Sequence, residues 1–318
     1  MSRVSNGVCA RGVALLVATC ALAPEAVAVT VARDPSVATV KAEATQKAAP
    51  MPAPQLPKLT AAQIAERNAQ VRGGLAAWRA VQTIQISGLL DAGGRNNARL
   101  PYTLQMKRPH YQRVAVEFQG QKAVQVYDGQ NGWKLRPFLN RNDVEPLSEE
   151  ERQRVVHQSD VDGPLIDYAV KGSTLELDGT EMVEGRANYR LKLTTQDGYA
   201  RRIWVDGKTF LESKIEGSPR RFDGKMRRVE SYLRDYRKVN GVLFPFVSET
   251  WVEGARQTRR MTVDKVVLNP PLEDRLFSKP AAPAGQTAAL ALAAQALRGT
   301  SAAASSSAHA PASAAPSQ

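Results

Sequence analysis

Cysteine is almost absent from this 318-residue chain: the two present, Cys9 and Cys20, both lie within the first twenty residues. Beyond residue 20 the chain can form no disulfide, no cysteine-bound zinc site and no cysteine nucleophile. Histidine is nearly as scarce. His110, His157 and His309 lie far apart and show no ligand spacing, so neither a metal site nor a nucleophile–base pair is expected. His157, Ser159 and Asp160 fall on one short turn, where three groups rarely converge on a reacting atom, and they read as surface polar residues. There is no G-x-S-x-G elbow, and Gly73-Gly74 and Gly93-Gly94 lack the Lys and Ser/Thr of a phosphate loop. Asp178, Asp197, Asp206 and Asp223 each precede a glycine and read as turn formers rather than acid–base groups. No catalytic residue, no metal and no cofactor is expected, and the chain reads as a binder rather than an enzyme.

A long apolar run is missing too. Val13 to Leu22 is about half of what crosses a bilayer. With Arg3 and Arg11 before it and Ala26-Val27-Ala28 after it, this stretch predicts a secretory signal peptide over residues 1–28. The rival reading is a lipoprotein signal ending at Cys20, although Thr19 before the cysteine fits poorly. Residues 29–58, rich in Ala, Pro, Val and Lys, read as a disordered linker, and 281–318, Ala, Ser and Pro, as a disordered tail. One domain is left, over 59–280, large enough for a substantial core.

The net charge is +12, and loss of Arg3, Arg11 and Glu25 with the signal leaves +11. Basic clusters at 201–202, 220–221, 225–228, 234–238 and 256–260 suit an anionic membrane surface or an acidic protein partner, or simply keep strand faces soluble. Export argues against nucleic acid.

What the chain has in quantity is period-two alternation between Thr83 and Leu268, broken by Asp-Gly and Asn-Gly pairs. These pairs tolerate the left-handed backbone of tight hairpins. The pattern predicts a mostly β domain with a few helices: a curved antiparallel sheet of about eleven strands, an incomplete barrel, with a helical lid. Thr60 caps a helix predicted to reach about Ala80, weakened or divided at Gly73-Gly74. Ser148 and Glu151 form a capping box that predicts a short helix to about Gln158. After the Gly163-Pro164 break, Leu165, Ile166 and Tyr168 sit on one further helical turn, read as a lid or as a static filler of the core. Pro245 between Phe244 and Phe246 predicts an edge or a bulge.

A sheet with one apolar face must cover it. The residues expected to line a shared apolar cavity are Ile84, Ile86, Leu104, Met106, Val114, Val116, Val124, Val126, Trp133, Leu135, Tyr189, Leu191, Leu193, Ile203, Val205, Leu211, Phe244 and Phe246. Periodicity alone leaves open whether that space is a cavity or a filled core.

Several segments, in this order, resemble a known family. Arg72-Gly73-Gly74-Leu75 with Trp78, Thr83-Ile84 and Ser87-Gly88 is similar to the opening of LolA-like lipoprotein-sorting proteins of the outer membrane. So are Lys107-Arg108-Pro109 with Arg113, Asp128 to Trp133, Glu184-Gly185 with Tyr189-Arg190-Leu191, Trp204-Val205-Asp206, Asp235-Tyr236, Gly241-Val242 and Phe244-Pro245. The likeness covers about residues 62–280. It implies an incomplete barrel whose apolar cavity receives lipoprotein acyl chains or other lipids in the Gram-negative periplasm. It also implies an alternative, a periplasmic interaction or sensor module on the same fold. The lid-contacting arginine of the dedicated carriers has no assigned position from sequence.

Overall fold

The computed structural model describes residues 56–91, 98–137, 141–255 and 258–281. The expected signal peptide, most of the linker, the tail, both cysteines and His309 lie outside them. Two helices come first. Thr60 accepts from the Gln63 amide while Gln63 reaches back to the Thr60 amide, and this capping box starts α1, Ala61–Val71. The helix ends where Gly73 takes φ +117°, a conformation costly for any residue with a Cβ. A Cβ on Gly73 would also lie 2.4 Å from the Gly241 carbonyl oxygen. Of the two outcomes expected at Gly73-Gly74, the helix is divided rather than weakened, with α2 spanning Leu75–Arg79.

Strands β1 (Thr83–Asp91), β2 (Arg99–Lys107), β3 (Tyr111–Phe118), β4 (Gln121–Asp128), β5 (Gly132–Arg136) and β6 (Arg141–Pro146) form the first half. After helix α3 (Glu149–Val156), capped as expected by Ser148 and Glu151, come β7 (Thr174–Val183), β8 (Arg186–Thr194) and β9 (Ala200–Asp206). Strands β10 (Glu212–Phe222), β11 (Lys225–Val239), β12 (Val242–Val252) and β13 (Arg259–Leu268) complete the sheet. The thirteen strands, against about eleven expected, run in the order β6-β5-β4-β3-β2-β1-β13-β12-β11-β10-β9-β8-β7. Strand β6 carries no apolar alternation, which is why sequence patterning passed over it. Every neighbouring pair is antiparallel, and β6 and β7 do not pair, so the barrel is incomplete.

That order decides where the lid goes. The chain leaves the sheet at one free edge, β6, and returns at the other, β7. Residues 147–173 must therefore cross the opening between the edges. The crossing places α3 and the turns after it over the concave face. Beyond α3 the segment is a series of turns rather than the further helical turn expected around Leu165.

Register fixes which side chains share a face, because directly paired residues point the same way. Ile86 pairs with Leu104, Leu104 with Val114, and Val114 with Gln125. Val124 instead pairs with Ala115 and Leu135, and Val126 with Arg113 and Trp133. Val124, Val126, Trp133 and Leu135 therefore lie on the convex face, behind the sheet, contrary to expectation. The cause is the two-residue hairpin Gln119-Gly120, with φ 48° and 74°, which pairs Phe118 with Gln121 and so sets even positions of β3 against odd positions of β4. Residues 123–127 of β4 are all buried, so its own pattern carries no parity. The segment after β13 packs behind this region, with Phe277 buried against Tyr111 at 5.4 Å between ring centroids. The Asp178-Gly179 pair, expected as a turn, is instead a bulge within β7.

The concave core has two lobes. In one, Ile64 of α1 and Leu165 of the lid pack on Tyr189, Leu191, Leu193, Ile203 and Val205. In the other, Trp78 of α2 and Ile166 of the lid pack on Ile84, Met106, Phe244 and Phe246, with Ile86 and Leu104 at the margin. Val114 and Val116 extend it toward Leu90 and Leu100. Leu56 and Leu59 pack on the first lobe, and Tyr189 donates from its hydroxyl to the Pro57 carbonyl at 2.8 Å. The packed part thus begins by residue 56, slightly before the expected boundary. Pro245 lies where β12 pairs with β11 but not yet with β13, an edge-like stretch as its imide requires.

Candidate ligand site beneath the lid

The lid is fastened by a polar latch. Asp162 is buried, and its carboxylate accepts from Arg108 Nη2 at 2.7 Å and Lys171 Nζ at 2.5 Å. Its backbone oxygen accepts from Arg72 Nη1 at 3.0 Å. Arg72 also pairs with the buried Glu212 at 3.1 Å and lies over the Trp78 ring at 4.5 Å. Arg72 thus joins Arg108 in holding the lid, a contact that sequence reasoning did not find. Asp160, beside the latch, is held below the usual carboxylate range. Burial alone would raise it, but hydrogen bonds and charge from His110 and Lys171 outweigh that. Arg79 clamps Asp167 through two bonds of 2.8 and 2.6 Å.

Between these fastenings, the apolar side chains of the lid are plugs. Leu165 and Ile166 are essentially inaccessible and enter different lobes, while Tyr168 packs half-buried on the first. Most of the concave residues expected to line an open cavity are therefore the floor on which helices and lid rest, while Val114 and Val116 pack against other strand residues. Leu211 stands apart, in the β9–β10 turn beside a separate cleft.

What stays open lies toward α3. A half-open cavity of about 250 Å³ runs between the lid (Arg154, His157, Gly163, Pro164) and strands β9–β13. Its floor mixes Ile215, Val229 and Met261 with the hydroxyls of Ser231, Ser248 and Thr250, and Arg201 and Arg220 stand at its side. Sequence patterning missed it because Ser, Thr and Arg read as a solvent face. A second cleft of about 420 Å³ lies beyond His157, among His110, Lys171, Thr195 and Asp197. A third, apolar groove of about 430 Å³ separates α1 from residues 165–170, with Val170 exposed at its rim.

The short His-Ser-Asp run diverges. His157 approaches Asp197 at 3.4 Å and stacks on Tyr199 at 4.0 Å, Ser159 donates to the Val156 carbonyl, and Asp160 faces Lys171 and His110. Burial lowers the His157 pKa, with Asp197 opposing. Among the described residues no cluster of three or more potential metal ligands occurs, and no helix is long and apolar enough to cross a membrane.

Neither a protein-family profile nor a curated protein sequence matches the chain. Solved structures do resemble it. A LolA superfamily protein from Nitrosomonas europaea is 17% identical over 70% of this chain and 99% of its own, with a TM-score of 0.46. A DUF1329 family protein from Desulfovibrio piger is 15% identical over 70% and 98%, with a TM-score of 0.49. A domain named for outer membrane lipoprotein sorting, from Vibrio parahaemolyticus, is 12% identical over 69% and 96%, with a TM-score of 0.43. Likenesses of this degree carry no inference about ligand or partner.

Proposed function

We propose that this chain is an exported, non-enzymatic binding protein that sequesters acyl chains of lipids or lipoproteins between its lid and the concave face of its sheet. One observation carries the reading. The lid bridges two free sheet edges, fills both apolar lobes with Leu165 and Ile166, and is held down by a few polar contacts around Asp162. Such a plug exchanges one apolar occupant for another. The open cavity of about 250 Å³ falls below the roughly 300–1,000 Å³ of ordinary ligand pockets. A chain enters only as the lid withdraws.

The magnitudes suit a carrier. Burying a dozen methylenes supplies about 10 kcal/mol of gross transfer free energy. Uncovering Leu165 and Ile166 costs about 3–6 kcal/mol of that. Loading thus nets less than a membrane offers the same chain, which favours release to an acceptor bilayer, and the signal-like N-terminus supports a periplasmic setting. Organic extraction of protein purified from periplasm, followed by mass spectrometry, tests the reading. Co-purifying acyl lipid at near-stoichiometric amounts supports it, and extracts free of lipid from protein that also fails to take up added lipid oppose it.

A second reading, a protein-interaction or sensor module, draws on the apolar groove beside α1, where Val71, Leu75 and Val170 are exposed. A stoichiometric protein partner without bound lipid would favour it.

A further inference from the structure

The open end of the concavity is cationic in an unusual way. Arg201 and Arg220 line the cavity, and Arg220 pairs with Arg227 across β10 and β11. Arg227 precedes Val229 and Ser231 at alternate positions, so it shares their concave face. Arg259 pairs directly with Thr250, whose side is that of the cavity floor. Four arginines from four strands therefore lie on one face, Arg201 and Arg220 lining the cavity and Arg227 and Arg259 beside it by register. None is exposed, and three have buried nitrogens with no hydrogen-bond partner among the described residues: Arg201 Nε, Arg227 Nε and Arg259 Nη1. Burial lowers the pKa of Arg201 and of Arg259, the mark of desolvated cations. The carboxylates at the cavity are engaged elsewhere, Asp160 with Lys171 and Glu216 with the outward-facing Arg202.

Burying a cation without a counter-charge is costly, and a folded chain rarely keeps several together. An arginine presents a planar fork suited to two oxygens of a phosphate or carboxylate. Beside the fork are hydroxyl donors on Ser231, Ser248 and Thr250, and an apolar strip of Ile215, Val229 and Met261 leads toward the lid. We infer that this hollow is an oxyanion site that takes the phosphate or carboxylate head of an anionic amphiphile, its chain running under the lid. The inference rests on the lipid-binding reading above and adds the class of head group.

The experiment titrates the full mature chain with three probes: dihexanoyl phosphatidylglycerol, dihexanoyl phosphatidylcholine and inorganic phosphate. The variants are Arg227→Gln, Arg259→Gln and Arg260→Gln, the last on the opposite face of the same strand. Phosphatidylglycerol is expected to bind at least tenfold tighter than phosphatidylcholine. Arg227→Gln and Arg259→Gln each weaken it at least tenfold, with unchanged or raised melting temperature because an unpaired buried charge is removed. Arg260→Gln leaves affinity unchanged. Equal binding of both lipids, indifferent to the arginines, overturns the head-group site and leaves chain binding standing. Phosphate binding as tightly as phosphatidylglycerol, with the same arginine dependence, keeps the oxyanion site but assigns it to a free anion. No binding of any probe overturns this site and the lipid reading together.

Discussion

Replacing Asp162 with Asn removes the charge of the latch while keeping its size. The carboxylate is 2% exposed and faces Arg108 and Lys171. Breaking a buried pair from one side costs about 3–5 kcal/mol. Here the cations keep other partners. Arg108 still donates to the Val81 and Trp78 carbonyls, and Lys171 retains Asp160 and the Gly163 carbonyl. The Arg72 bond to the Asp162 backbone oxygen also survives. The expected loss therefore falls at or below the bottom of that range, about 2–3 kcal/mol. If the lid opens as a unit, this loss falls on the open–closed equilibrium, which shifts by roughly thirty- to a hundred-and-fifty-fold. Stopped-flow uptake of a fluorescent fatty acid then accelerates by a similar factor, while the urea midpoint of the strand core hardly moves. A midpoint that falls by the full 2–3 kcal/mol, with uptake unchanged, would refute the idea of a separable lid, because Asp162 would then be bracing the whole domain.

Other outcomes follow from the same geometry. Leu165→Ala with Ile166→Ala deletes two plugs, each worth about 2–5 kcal/mol in a well-packed core. Lipid uptake or release should change by more than the melting shift accounts for, and a change explained wholly by stability would favour a static filler. Leu191→Glu, at a position with no exposure, should unfold the domain or abolish lipid binding, since an unpaired buried carboxylate costs several kcal/mol. Circular dichroism separates those two outcomes. On the convex face, Val126→Ala should lower stability by about 1–2 kcal/mol and leave acyl-chain affinity unaltered; lost affinity would contradict the register. Stability should also fall on acidification. The folded His157 pKa is depressed by burial, so the unfolded chain binds the proton more tightly and its contribution is lost as pH drops below about 6.5. Asp160 and Glu151 are held low by their cationic neighbours despite burial. Their contributions are present above about pH 4 and lost as pH falls through the folded values. A melting temperature flat from pH 7 to pH 3 would contradict these assignments.

Much of the architecture was legible because it is written in local chemistry. The hairpins at Asp223-Gly224 and Asn240-Gly241, both with positive φ at both residues, and the Ser148–Glu151 capping box need only neighbours in sequence. So does the position of the lid, since the break in strand pattern after β6 falls where the sheet has its free edges. Bulges and doubly buried strands were not legible. In β4 both faces are covered, so period two vanishes, and the parity of the Gln119-Gly120 hairpin was the cue that would have placed Val124, Val126, Trp133 and Leu135 outside. The arginine hollow was hidden for a different reason. Arg220, Arg227 and Arg259 read as solvent-exposed strand positions until register turns them inward.

Amide hydrogen exchange across residues 160–172, followed with and without bound acyl lipid, tests the central claim most directly. An exchangeable plug that gives up its place to a chain predicts altered exchange in this segment on loading, with the amides of β8 and β9 unchanged. Identical exchange in the two states, with lipid shown to be bound, would contradict it.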